Sequence, residues 1–153
     1  MDIDRYENIE ISADHKTYSF VSKGPKGDLI KIVRFINLQN LPGAYNLALG
    51  TIRGDAVDYT ETTYNGDRNQ VLATIFHIAV TFSRVYPNQK IFIMGRNEAT
   101  TRLYRGAINH LYAEIESEFF TYGGHYAENE NAYKFEEFIR NKQYDAFLFK
   151  RRQ

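Results

Sequence analysis

The chain has 153 residues, 43% of them apolar and 25% charged, which is the composition of one globular domain with a sizeable core. Lys plus Arg and Asp plus Glu number 19 each, so no global field draws the chain to nucleic acid or a membrane surface, and any anion site has to be a local patch. Cysteine is absent, which excludes disulfides, thiolate nucleophiles and zinc–thiolate centres.

No apolar run reaches the ~20 residues of a membrane helix. The acidic start Met1-Asp2-Ile3-Asp4-Arg5 lacks the pattern of a signal peptide. The expectation is a cytoplasmic protein without membrane contact, a single domain over residues 1–153.

Residues 1–15 are polar with scattered Ile and read as an irregular arm or a weak edge strand. Lys16 to Ser22 alternates β-forming and polar residues, which predicts a strand. Lys23-Gly24-Pro25-Lys26-Gly27 is a turn signal. From Asp28 to Leu38, Ile30, Ile32 and Ile36 share one face, and Leu29, Val33 and Phe35 share the other. That pattern predicts a central strand covered on both sides. After the break Leu41-Pro42-Gly43, Tyr45 to Ile52 forms a third strand, Arg53-Gly54-Asp55 turns it, and Ala56 to Tyr64 forms an exposed fourth. Short connections predict an antiparallel meander.

Asp67 with Gln70 three residues later has the spacing of a capping box, so a helix is expected to start there. Val71, Ile75, Ile78, Phe82 and Val85 form its apolar face, and Pro87-Asn88 ends it. Lys90 to Met94 reads as a buried strand, followed by a second long helix from about 101 to 122. Its apolar row is Leu103, Ala107, Leu111 and Ile115, and Gly123-Gly124 is its expected stop. Ala132 to Asn141 is expected to be a short helix and Tyr144 to Phe149 a last strand, with Lys150-Arg151-Arg152 a solvated basic end. The fold class is therefore α+β: a mainly antiparallel sheet, about four strands of it a meander, with two long helices packed on one face and a C-terminal strand.

The chemistry converges on the turn between the strand at 90–94 and the helix after it. Gly95, Arg96, Thr101, Arg102 and Arg105 surround a helix N-terminus, where unpaired N–H groups and the dipole favour an anion. Arg102 and Arg105 lie three apart on one face, where cations are unfavourable unless an anion sits between them. The glycine pattern is neither a P-loop nor a dinucleotide fingerprint. A backbone glycine after a strand also suggests a left-handed conformation or room for a ligand.

Three function classes follow. One is a binding module for a phosphate group, a nucleotide or RNA at this turn, with no cofactor. A second is an interaction or homo-oligomerising domain using Tyr59, Tyr64, Tyr122, Tyr126 and Tyr133. A third is a metal-dependent phosphoryl-transfer enzyme or nuclease using Asp55, Asp58, Glu61 or Asp67, although turn and capping roles explain Asp55 and Asp67 with no metal. His15, His77, His110 and His125 have no metal-motif spacing, and no GxSxG elbow marks a nucleophile.

Gly24-Pro25-Lys26-Gly27, Tyr45 to Gly50, Asn65-Gly66-Asp67 with Val71 to Thr74, and Gly95 with Thr101 to Arg105 together resemble a family of small bacterial proteins of unknown function. The resemblance spans nearly the whole chain. It implies an autonomous domain and brings no activity or catalytic residues. Related sequences tend to carry Arg where this chain has Thr100, so the resemblance implies a thinner arginine cluster here.

Overall fold

The computed structural model describes residues 4–59 and 65–152. Its strands are β1 (Glu10–Ile11), β2 (Thr17–Gly24), β3 (Gly27–Asn37), β4 (Ala44–Arg53), β5 (Ala56–Asp58), β6 (Lys90–Met94), β7 (Phe119–Ala127), β8 (Ala132–Glu137) and β9 (Ala146–Arg151). Its helices are α1 (Arg68–Val85), α2 (Glu98–His110) and α3 (Tyr112–Glu118). The strands hydrogen-bond in the order β1-β2-β3-β4-β6-β9-β7-β8, with β5 paired on β4. The sheet is mostly antiparallel, and β4 runs parallel to β6. It is thus α+β as expected, with a larger sheet than a four-strand meander. No helix among the described residues is long and apolar enough to cross a membrane.

The chain divides into two compact units. The first holds residues up to Ile36 and Leu47–Tyr86; the second holds Asn37–Asn46 and Pro87 onward. In the first, β2 and β3 form a tight hairpin closed by Gly24 opposite Gly27, the latter at φ +86. Tyr18, Phe20, Val33 and Phe35 from this hairpin are buried, as are Ile78 and Phe82 from α1. The Phe35 and Phe82 rings stack with centroids 3.9 Å apart, which fixes α1 on the Val33/Phe35 face of β3. The other face of β3 is not covered throughout: Ile32 is buried, but Ile30 and Ile36 are 44% and 49% exposed. Lys31, buried between them in sequence, donates to the Thr51 hydroxyl at 2.8 Å.

α1 begins where the sequence places it, but by another device. Asp67 is its N-cap residue and makes no side-chain cap bond. Its carboxylate instead accepts from the Tyr6 and Ser22 hydroxyls, so the expected capping box with Gln70 does not form. At the far end Val85 is exposed, and the apolar face ends at Phe82. β5 covers three residues of the expected fourth strand, and residues 60–64 of that strand, Glu61 and Tyr64 among them, lie outside the described residues.

In the second unit β9 lies between β6 and β7, and β8 pairs β7. The register sets Ala44, Phe92, Leu148, Tyr122 and Phe135 on one face. Ala44, Phe92, Ala146 and Leu148 form a buried cluster there, with Leu38, Leu41, Tyr122, Tyr133 and Phe135 packed over it. The opposite face carries Phe147, Phe149 and Phe119, whose ring meets that of Phe149, and the Phe138 ring packs beside Phe147.

Two expected helices are replaced in this unit. The segment 101–122 is not one helix: α2 ends at His110, α3 ends at Glu118, and Phe119 onward is strand. Gly123 and Gly124 are mid-strand residues of β7 and not a helix stop. A Cβ on Gly123 would lie 2.3 Å from the Tyr144 ring, so glycine lets that ring lie flat on the strand. The other replaced helix is at 132–137, which pairs with β7 as β8. Its sequence Ala-Tyr-Lys-Phe-Glu-Glu alternates with period two, and that pairing decides it.

Candidate functional site

The turn after β6 is built by Asn97. Its side chain accepts the Thr100 N–H at 2.9 Å, and the Thr100 hydroxyl accepts the Asn97 N–H at 3.0 Å. This reciprocal capping box starts α2 at Glu98, three residues before the expected start. Thr101 then lies in the first turn, its N–H and hydroxyl both directed to the Asn97 carbonyl.

Gly95 packs beneath that turn. A Cβ there would come 2.3 Å from the Thr101 nitrogen and 2.4 Å from its hydroxyl oxygen. Its backbone is not among the positive-φ glycines, which are Gly27, Gly43, Gly54 and Gly66. The expected left-handed conformation is therefore absent. The glycine is needed because the helix sits on it, and Thr101 fills the space where a Cβ would lie. Gly95 and Thr101 thus build the turn, and the Glu98 carboxylate in the first helical turn opposes an anion at the N-terminus itself.

The guanidiniums stand apart from this packing. Arg102 is exposed and Arg105 half-buried. Neither has an ion-pair or hydrogen-bond partner for its guanidinium among the described residues. Three residues apart on a helix, they lie on one face about 5–6 Å apart at Cβ. Arg96, exposed in the turn, is near enough to Tyr104 that its charge draws the phenol down against burial, which pushes it up more strongly. The surface carries three cations within ten residues of chain, Arg96 through Arg105.

Other charged groups are committed elsewhere. Asp67 holds Tyr6 and Ser22, and among the described residues no three His, Asp or Glu side chains converge. Of the acids considered for magnesium, Glu61 lies outside the described residues. The basic end is not a free tail. Arg151 lies 3.7 Å from Glu118, and Arg152 donates through Nε to the Glu116 and Phe119 carbonyls. The two arginines satisfy and neutralise the C-terminal end of α3. Of the five tyrosines expected at a binding surface, Tyr122, Tyr126 and Tyr133 share one face of the β7–β8 hairpin. Tyr59 instead meets Arg34 in the first unit.

Two polar constellations were not foreseeable from sequence spacing. In the first unit buried Asn65 donates to the Gly27 carbonyl at 2.9 Å and accepts the Lys26 N–H at 2.8 Å. Ser22, Asp67 and Tyr6 extend this network, and the Tyr6 N–H reaches the Thr74 hydroxyl. It ties the N-terminal arm and the β2–β3 turn to the start of α1. The signal for it lay in three separated motifs, each explicable as a local turn.

In the second unit Glu136 accepts from Lys142 at 2.7 Å and from the Tyr144 hydroxyl at 2.8 Å. The Lys142 bond first, and then Tyr144, hold its carboxyl below its ordinary range. A depressed carboxylate stabilises the fold above its unfolded pKa, and the contribution is lost as pH falls through the folded value. Acid titration of unfolding is expected to show stability falling below the ordinary carboxylate range, and Glu136→Gln should flatten that limb. Superimposable acid limbs for the two proteins would count against this linkage.

A family model, described as a family of unknown function (DUF6934), matches residues 2–152. No curated protein and no solved structure matches the chain. With nearly every residue matched, the chain belongs to this family of unknown function.

Proposed function

We propose that the protein is a binding module for a phosphate-bearing ligand, a nucleotide or RNA, held on the outer face of α2 by Arg102 and Arg105. The observation that carries this reading is the pair itself: two guanidiniums one helical turn apart without partners among the described residues. Two unpaired cations on one helix face repel each other, and an anion bridging them removes that cost. The capping box directs binding to side chains rather than to helix N–H groups.

Fluorescence anisotropy with labelled single-stranded RNA, with ATP as competitor, tests the reading across a salt series. Arg102→Ala and Arg105→Ala should each weaken binding and lower the salt slope by about one for each phosphate no longer neutralised. Melting should move little, within about 0.5 kcal/mol, since neither side chain holds the fold. A double variant that binds like the parent would overturn it.

A further inference from the structure

β8 ends the strand order and, among the described residues, has a neighbour on one side only. The Phe138 N–H points inward to the Thr121 carbonyl. In an antiparallel ladder, successive residues direct their N–H and C=O groups to opposite sides. Phe138, Glu136 and Lys134 therefore face β7, and Glu137, Phe135 and Tyr133 direct theirs out of the sheet. No other backbone bond to these three is made among the described residues. An edge of this kind is a template for another strand.

We infer that this edge pairs with the β8 edge of a second copy, antiparallel, giving one continuous sheet through a twofold dimer. The strand is self-complementary in one register. Outward-facing residues must pair with each other, which centres the axis on Lys134, on Phe135 or on Glu136. Centring on Lys134 sets it against its own copy, and centring on Glu136 does the same with two carboxylates; like charges directly opposite are unfavourable. Centring on Phe135 sets Lys134 against Glu136 of the second copy, twice, alongside the pairs these exposed groups make within their own chain, Lys134 with Glu130 and Glu136 with Lys142. It also sets Phe135 against Phe135 of the second copy, and Tyr133 against Glu137. The aromatic face formed by Tyr122, Tyr133 and Phe135 then runs on across the axis. Such a pairing has the isologous form expected of a twofold interface.

Sedimentation equilibrium over the micromolar to millimolar range reads the assembly, with circular dichroism and melting as folding controls. The parent should pass from one to two chain masses. Lys134→Glu and Glu136→Lys should each weaken the dimer at least tenfold, because each places like charges opposite. An equimolar mixture of the two should recover it, since the charges then complement between unlike chains. Glu137→Pro removes an outward N–H while leaving the β7 ladder intact, as an edge proline can, and should also weaken the dimer at least tenfold. A parent that stays monomeric throughout overturns the inference. So does a dimer that Lys134→Glu and Glu137→Pro leave unchanged.

Discussion

Asn65→Ala is expected to destabilise the first unit by about 2–3 kcal/mol, lowering the melting temperature by roughly 5–10 °C for a chain of this length. Asn65 is 1% exposed. Its amide spans the β2–β3 turn, accepting from Lys26 and donating to Gly27. Its own backbone carbonyl lies where a Cβ on Gly24 would be, 1.7 Å away, so the two turns meet across a glycine. Alanine leaves the Lys26 N–H and the Gly27 carbonyl without this partner and opens a void between the turns. Asn65→Asp preserves volume but removes the donor and sets a carboxylate against the Gly27 carbonyl. It should therefore also melt lower, which separates the hydrogen bonds from simple packing. Urea unfolding measures both, and curves that coincide with the parent would show that the turns hold together without the amide.

This network explains why part of the fold was legible and part was not. β2, β3, β4, β6 and most of β9 carry their own local signals: runs of β-formers bounded by Gly, Pro or Asn. α1 has an 18-residue span with a clear apolar face. β7 gave no such warning, because Phe119 continues the Leu111–Ile115 row at helical spacing. What ends the helix is distant: β7 pairs with β9, Phe119 against Arg151. β8 is decided in the same way by β7. Tertiary pairing overrode local periodicity at β7, whereas the period-two alternation of β8 agrees with its pairing.

The candidate site divides along the same line. Arg102 and Arg105 were legible because one helical turn brings them together. The Tyr6–Ser22–Asn65–Asp67 network was not, since its members come from distant stretches of the chain. Asp67 shows the ambiguity plainly: its spacing suits a cap, and its carboxylate serves the arm and β2 instead.

Gly95→Ala is expected to cost about 1–3 kcal/mol through overpacking. The backbone there is not left-handed, so the cost is not conformational. It arises because the new methyl would meet the Thr101 nitrogen, Cα and hydroxyl oxygen at 2.3, 2.6 and 2.4 Å. Two of these are main-chain atoms of the first turn of α2, fixed by the Asn97 carbonyl, so no side-chain rotation relieves the contact. The helix has to shift outward, straining the Asn97–Thr100 capping box, whose loss alone costs ~1 kcal/mol. Arg102 and Arg105 ride on that turn, so anion binding should weaken together with stability. The arginine variants should lose binding alone, which distinguishes a displaced helix from a missing cation. Thermal melting and RNA anisotropy measured on the same preparations provide the comparison. A Gly95→Ala protein with parental melting would mean that α2 does not rest on Gly95.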